Sequence, residues 1–195
     1  MRLERAFAAG GWVDITPDET LAPWTPRRGE WNRERDGAIT GIAFGPVGRS
    51  ALVCRADFGH DYELRAHVSL PDPKVHSIPS LFVRWINDDS YMAAQVDTAR
   101  SILWARHAQG QEKRPVALKG GDLITVRVEG EIMSILVDDK PLLTDQPVGT
   151  PAAGLTSYVA LGIDSAGWGK AARFTGVQIR RLGAGDGGKA QPAAK

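Results

Sequence analysis

The stretch Leu81-Phe-Val-Arg-Trp-Ile-Asn-Asp-Asp-Ser-Tyr-Met-Ala-Ala-Gln-Val-Asp97 decides the fold. Its residues alternate on both sides of the polar tetrad Asn87-Asp88-Asp89-Ser90, as in two antiparallel strands joined by a turn. With that tetrad as a four-residue turn, Arg84 faces Ala93 and Phe82 faces Gln95. One face then collects Leu81, Val83, Trp85, Met92, Ala94 and Val96. The other collects Phe82, Arg84, Tyr91, Gln95 and Asp97.

The pattern extends outward in both directions. A second turn at 98–101 places Trp104 opposite Gln95 and Arg106 opposite Ala93, while Leu103 and Ala105 join the apolar face. A hairpin turning at Gly130-Glu131 matches Ile124, Val126 and Val128 with Met133, Ile135 and Val137; Thr125, Arg127 and Ser134 take the other side. Upstream, Tyr62, Leu64, Ala66 and Val68 alternate with Glu63, Arg65, His67 and Ser69. A slip of one residue would bury every polar set, so these faces are strongly specified.

Strands are expected at 30–35, 38–43, 50–55, 61–69, 80–86, 91–97, 102–108, 114–118, 122–129, 132–138, 141–144, 154–162 and 172–182. Their short, regular spacing, punctuated by Gly and Pro, predicts an all-β sandwich. Helical periodicity is confined to Leu3–Ala9, too short to stand alone. Residues 1–30 read as a lead-in packing on the sandwich, 31–182 as the sandwich, and 183–195 as a flexible tail of Gly, Ala, Lys and Pro.

Basic and acidic residues nearly cancel, 24 against 23, so no broad field argues for nucleic acid or an acidic membrane surface. No apolar run approaches the roughly 18 residues of a membrane span. The first residues, Met1 to Phe7, lack the apolar core of a signal peptide, so either the protein is cytoplasmic or the sequence begins after a removed leader. The single cysteine, Cys54, excludes an internal disulfide and lies in an apolar run, which predicts a buried, inert thiol.

Four segments resemble a known group of proteins. They are Phe58-Gly-His-Asp-Tyr-Glu-Leu-Arg-Ala66; Phe82-Val-Arg-Trp85 with Asp89-Ser-Tyr91; Val126-Arg-Val-Glu-Gly-Glu-Ile132; and Phe174-Thr-Gly-Val-Gln-Ile-Arg180. Their order resembles concanavalin A-like jelly rolls, above all laminin G-type domains and the 3-keto-disaccharide hydrolase-like group. The resemblance runs from about Trp31 to Leu182. It implies a curved sandwich of two antiparallel sheets, a concave face that handles glycans, and an extracytoplasmic location.

The polar face of the central hairpins is the candidate ligand surface. It carries Arg84, Tyr91, Gln95, Asp97, Trp104 and Arg106. A sugar offers a patchy apolar face that an indole or phenol covers, and hydroxyls that amide and guanidinium groups bond. The opposing reading has a loop over this face, with Trp104 packed beneath it. Asp97 is the one carboxylate expected beside the aromatic cluster, as a partner for arginine or a sugar hydroxyl. Catalysis of glycoside cleavage needs two positioned carboxyl groups. The Glu-x-Asp-x-x-Glu strand of β-glucan hydrolases is absent, and Glu129, Glu131, Asp138 and Asp139 sit at turns.

His60, His67, His76 and His107 lack metal-ligand spacing, so no metal is expected. Asn87-Asp88-Asp89 offers oxygens to Ca²⁺ but reads first as a turn. Trp12, Trp24 and Trp31 either cap the sandwich or form a partner patch, and Trp168 lies on a glycine-flanked loop. Three functions follow: a noncatalytic carbohydrate-binding or glycan-handling domain; a glycoside hydrolase acting on keto-sugar glycosides or other glycans; and a structural or protein-interaction domain, with a protein partner or homodimer on its face.

Overall fold

A computed structural model of the chain describes residues 2–18, 20–45, 49–107, 109–149, 156–164 and 169–183. Trp168 and the tail beyond Gly183 lie outside the described residues. A short helix, α1 (Arg2–Ala8), is followed by β1 (Val13–Asp14), β2 (Trp24–Arg27), β3 (Glu30–Arg33), β4 (Ile39–Ala43) and β5 (Arg49–Cys54). Then come β6 (Tyr62–Ser69), β7 (Pro79–Asn87), β8 (Ser90–Asp97), β9 (Ile102–His107) and β10 (Gly110–Pro115). The last five are β11 (Asp122–Glu129), β12 (Ile132–Val137), β13 (Lys140–Pro147), β14 (Tyr158–Asp164) and β15 (Lys170–Arg181).

These strands make two antiparallel sheets. One runs β13-β12-β11-β6-β15-β4-β3, with β1 added alongside β15. The other has seven strands in the order β10-β9-β8-β7-β14-β5-β2. Late strands are inserted between earlier ones: β14 separates β7 from β5, and β15 separates β6 from β4. Strands from opposite ends of the chain are thereby interleaved, which closes the sandwich as one unit.

The two inner faces form a single large core. Leu52, Leu81, Val83, Ala94, Leu103 and Leu161 project from the seven-stranded sheet. They meet Tyr62, Leu64, Ile124, Val126, Met133, Ile135 and Phe174 from the other. Each of these thirteen side chains is at most 1% exposed. The residues expected to be core are buried, including Val126, Ile135 and Val137. The hairpin β11–β12 pairs Ile124 with Val137, Val126 with Ile135 and Val128 with Met133, in the register its alternation requires.

The lead-in stretch supplies α1, β1 and β2. Its apolar residues explain why it docks: Phe7 packs edge-on against Phe58 at 5.1 Å, and Ile15 is 1% exposed. Trp24 is buried and its indole N–H donates to the Ile15 carbonyl at 2.9 Å. Trp31 stacks on Phe174, over Gly41, where a β-carbon would lie 2.6 Å from the indole. Trp12 instead lies on the outer face of the larger sheet, under the guanidinium groups of Arg65 and Arg180. Two of the three early tryptophans are therefore core.

The register of β7 departs from expectation. Beside the turn, Asn87 pairs with Ser90 as the alternation predicts, but farther along Phe82 pairs with Ala93 and Ser80 with Gln95. A β-bulge between Val83 and Asn87 inserts the extra residues. Arg84 sits in it with φ of 48°, a left-handed conformation uncommon outside glycine. Its backbone N–H leaves the ladder and donates to the Tyr62 hydroxyl of the opposite sheet at 3.1 Å. Its guanidinium donates to the Gly149 carbonyl at 2.5 Å and to that of Gly130. The bulge reverses side-chain parity, so Trp85 joins Phe82 and Tyr91 rather than Val83. Two face assignments are thus corrected: Trp85 is buried on the outer side of its sheet, and Arg84 reaches across to the other sheet.

Candidate functional site

The outer face of the seven-stranded sheet is built on an aromatic floor. Phe82, Trp85, Tyr91, Ala93, Ala51, Val53 and Ala160 form a second buried cluster, separate from the inter-sheet core. Phe82 meets Trp85 and Tyr91 edge-on at 5.0 and 4.9 Å, while Trp85 and Tyr91 stack at 5.4 Å. Gly162 gives the Phe82 ring its place, since a β-carbon there would lie 2.0 Å from Cε2. A glycine in the middle of a paired strand marks such a close approach.

Polar groups are laid over this floor. The guanidinium carbons of Arg49 and Arg106 lie 4.2 and 4.5 Å from the centre of the Tyr91 ring. Guanidinium is attracted to the electron-rich ring face. Arg106 arrives from β9, adjacent to β8, where it pairs with Ala93. Arg49 reaches in from β5, on the far side of β14 and β7. It is held there by Asp164, with Nε 3.3 Å from Oδ2, and by the Asp88 carbonyl at 2.5 Å. Gln95 donates its side-chain amide to the same Asp164 carboxylate. Burial, with the Asp164 carboxylate alongside, pushes the Tyr91 phenol up to about 12.

Trp104 lies opposite Gln95 on one side and Lys113 on the other. It is half-buried, and its indole N–H is tucked inward with no acceptor among the described residues. Asp97 follows Gln95 on the same face and is fully buried. Its Oδ1 bonds His76 Nε2 at 3.2 Å and accepts the Arg100 backbone N–H at 3.0 Å, and Arg100 Nη1 lies 3.7 Å from Oδ2.

The structure therefore brings together Tyr91, Gln95, Trp104 and Arg106, with Asp97 at one end of the patch. It does not bring Arg84 to them. Arg49, Asp164 and Trp85 complete the patch; the first two are absent from the sequence reading, and Trp85 was assigned there to the core face. Arg49 and Asp164 stand at the ends of strands distant in sequence from β8, and only their cross-strand pairing with each other joins them. Trp85 was hidden by the bulge.

Other candidate chemistry is disposed of locally. Burial pushes the Cys54 thiol up to about 11, far from the thiolate a nucleophile requires. Asn87-Asp88-Asp89 is occupied as a turn: the Asn87 side chain accepts the Asp89 N–H at 2.9 Å, and the Asp88 carbonyl holds Arg49. Among the described residues no three His, Cys, Asp or Glu side chains gather as metal ligands. Among them, too, no helix is long and apolar enough to cross a membrane.

Comparison with solved structures places this architecture. The carbohydrate-binding module CBM66 from Bacillus subtilis superimposes with a TM-score of 0.63 at 17% identity, over 80% of this chain and 94% of that one. The β-glucanase of Bacillus licheniformis does so at 0.61 and 8% identity, over 89% of this chain and 98% of that one. The fold is a concanavalin A-like jelly roll. A lichenase from a mouse hindgut metagenome gives 0.58 at 11% identity, covering 89% and 99% of the two chains. No protein-family model matches this sequence, and no curated protein is similar to it. At these identities the likeness is one of fold, and by itself it does not show membership of the 3-keto-disaccharide hydrolase-like group.

Proposed function

We propose that this jelly roll binds carbohydrate on the outer face of its seven-stranded sheet without cleaving it. The observation that carries the reading is the half-buried Trp104, two residues from Arg106 on β9 and above the aromatic floor; Gln95, 3% exposed with its amide donated to Asp164, orders that carboxylate rather than meeting sugar. An indole with one open surface suits the apolar face of a pyranose, and a guanidinium suits its hydroxyls. The Tyr91 ring is already covered by Arg49 and Arg106, so its role is to position them rather than to stack on sugar. Arg84 takes no part, because its guanidinium is engaged by two backbone carbonyls. The fold shared with a carbohydrate-binding module supports the same reading and fits a place outside the cytoplasm.

A glycoside hydrolase is the second reading, favoured by the β-glucanase likeness and by two carboxylates on this face, Asp97 and Asp164. Each is already engaged by its own basic partners. Their strands are separated by β7, so their backbones stand roughly 10 Å apart, wider than a retaining pair. Screening the protein on a glycan array tests the first reading, with tryptophan fluorescence to confirm hits. An array without a hit, from folded protein, would sink it. Release of reducing ends from lichenan above a heat-killed control would establish the second.

A further inference from the structure

The charges on the candidate face do not balance, and the imbalance has a chemical meaning. Asp164 is paired with Arg49 and Asp97 with Arg100 and His76. Among the described residues Arg106 makes no ion pair and no side-chain hydrogen bond; its guanidinium lies over the Tyr91 ring, 4.5 Å from the centre. Lys113, exposed on the edge strand across from Trp104, adds a second cation without an ion pair there. A guanidinium offers five N–H donors in a rigid fork, and stacking on a ring leaves them pointing along its rim.

We propose that this face selects an anionic sugar, a hexuronate, whose carboxylate takes the Arg106 fork while its ring lies on Trp104. This rests on the outer face being the carbohydrate site. Trp104 and Arg106 lie two residues apart on one side of β9, a separation of roughly 7 Å along the strand. One pyranose with its exocyclic carboxylate spans that interval. A neutral sugar would use some of the donors but leave the cation uncompensated. A carboxylate meets the fork with two parallel bonds, and such charge-assisted pairs are about twice as strong as neutral ones.

The test is titration calorimetry with tetragalacturonate, tetramannuronate and a hyaluronan tetrasaccharide, each against its carboxyl-reduced counterpart. At least one uronate should bind tenfold or more tightly than its reduced form, with affinity falling as salt rises. Arg106→Gln should erase that preference, so that the acid binds no more tightly than its carboxyl-reduced counterpart. Arg106→Lys should keep part of it. Thermal melts establish that the variants fold; should Arg106→Gln fail to fold, the salt dependence of the wild type for each matched pair carries the test. Equal binding of acid and reduced forms overturns the proposal and leaves the carbohydrate reading standing. Binding of a sulfated oligosaccharide with no uronate binding overturns the carboxylate assignment. Binding of no sugar at all removes both.

Discussion

Phe82 lies flat across Gly162: a β-carbon at position 162 would stand 2.0 Å from its Cε2 and 2.9 Å from Cδ2 and Cζ. The aromatic floor of the candidate site thus depends on a residue without a side chain in the adjacent strand. Gly162→Ala should force the ring from its position and cost about 1–3 kcal/mol, the range for overpacking a filled site. Urea denaturation measures this. A change under about 0.5 kcal/mol would mean that the ring swings away freely and that the floor is not rigid.

Removing Trp104 separates a binding role from a packing role. Trp104→Ala should weaken glycan binding by about 1–3 kcal/mol, as aromatic anchors do at other interfaces. Stability should change modestly, because part of the ring faces solvent. If the variant unfolds, the indole is core.

Arg84 makes the opposite prediction. Its guanidinium ties the bulge of one sheet to the Gly130 and Gly149 carbonyls of the other. Arg84→Met should cost about 1.5–3 kcal/mol, the value of hydrogen bonds to a charged group. Glycan affinity should be unchanged. A large loss of affinity with wild-type stability would return Arg84 to the ligand site.

Tyr62 and Tyr91 should titrate late. Burial pushes both Tyr62 and Tyr91 from the ordinary 10 up to about 12. Folding favours the neutral phenol in each, so their stabilising effect is complete below pH 10 and is lost as pH climbs from 10 to 12. Ultraviolet absorbance of tyrosinate against pH, beside circular dichroism, checks this. Ionisation of Tyr62 or Tyr91 near pH 10 in folded protein would contradict the burial of its hydroxyl.

Truncating Ile135, fully buried between the sheets, to alanine should cost about 2–5 kcal/mol through lost burial and the cavity left behind. A loss below about 0.5 kcal/mol on denaturation would show that it is not core.

Much of the sandwich was legible because a strand's side-chain period is local. The alternation of Ile124, Val126 and Val128 against Met133, Ile135 and Val137 needs no knowledge of the rest of the chain, and the pairing follows it. The strand expected at 114–118 instead forms at Gly110–Pro115, where polar Gln111, Glu112, Lys113 and Arg114 make an edge strand that carries little hydrophobic pattern. The strand β2 went unread because its residues, Trp-Thr-Pro-Arg, include a proline that only an edge position tolerates.

The sequence by itself determined which residues face the core along β6, β8, β9, β11 and β12, that the chain forms two antiparallel layers, and that Gln95, Trp104 and Arg106 share a side. Tertiary structure alone decided the bulge at Arg84, which turned Trp85 outward and carried Arg84 to the other sheet. It also decided that Arg49 and Asp164 join Tyr91, leaving Arg106 without a carboxylate partner among the described residues. The physical reason is range. Alternation is written in neighbouring residues, whereas a bulge is stabilised by Tyr62, Gly130 and Gly149, and the Arg49–Asp164 pair closes only when strands 115 residues apart lie side by side.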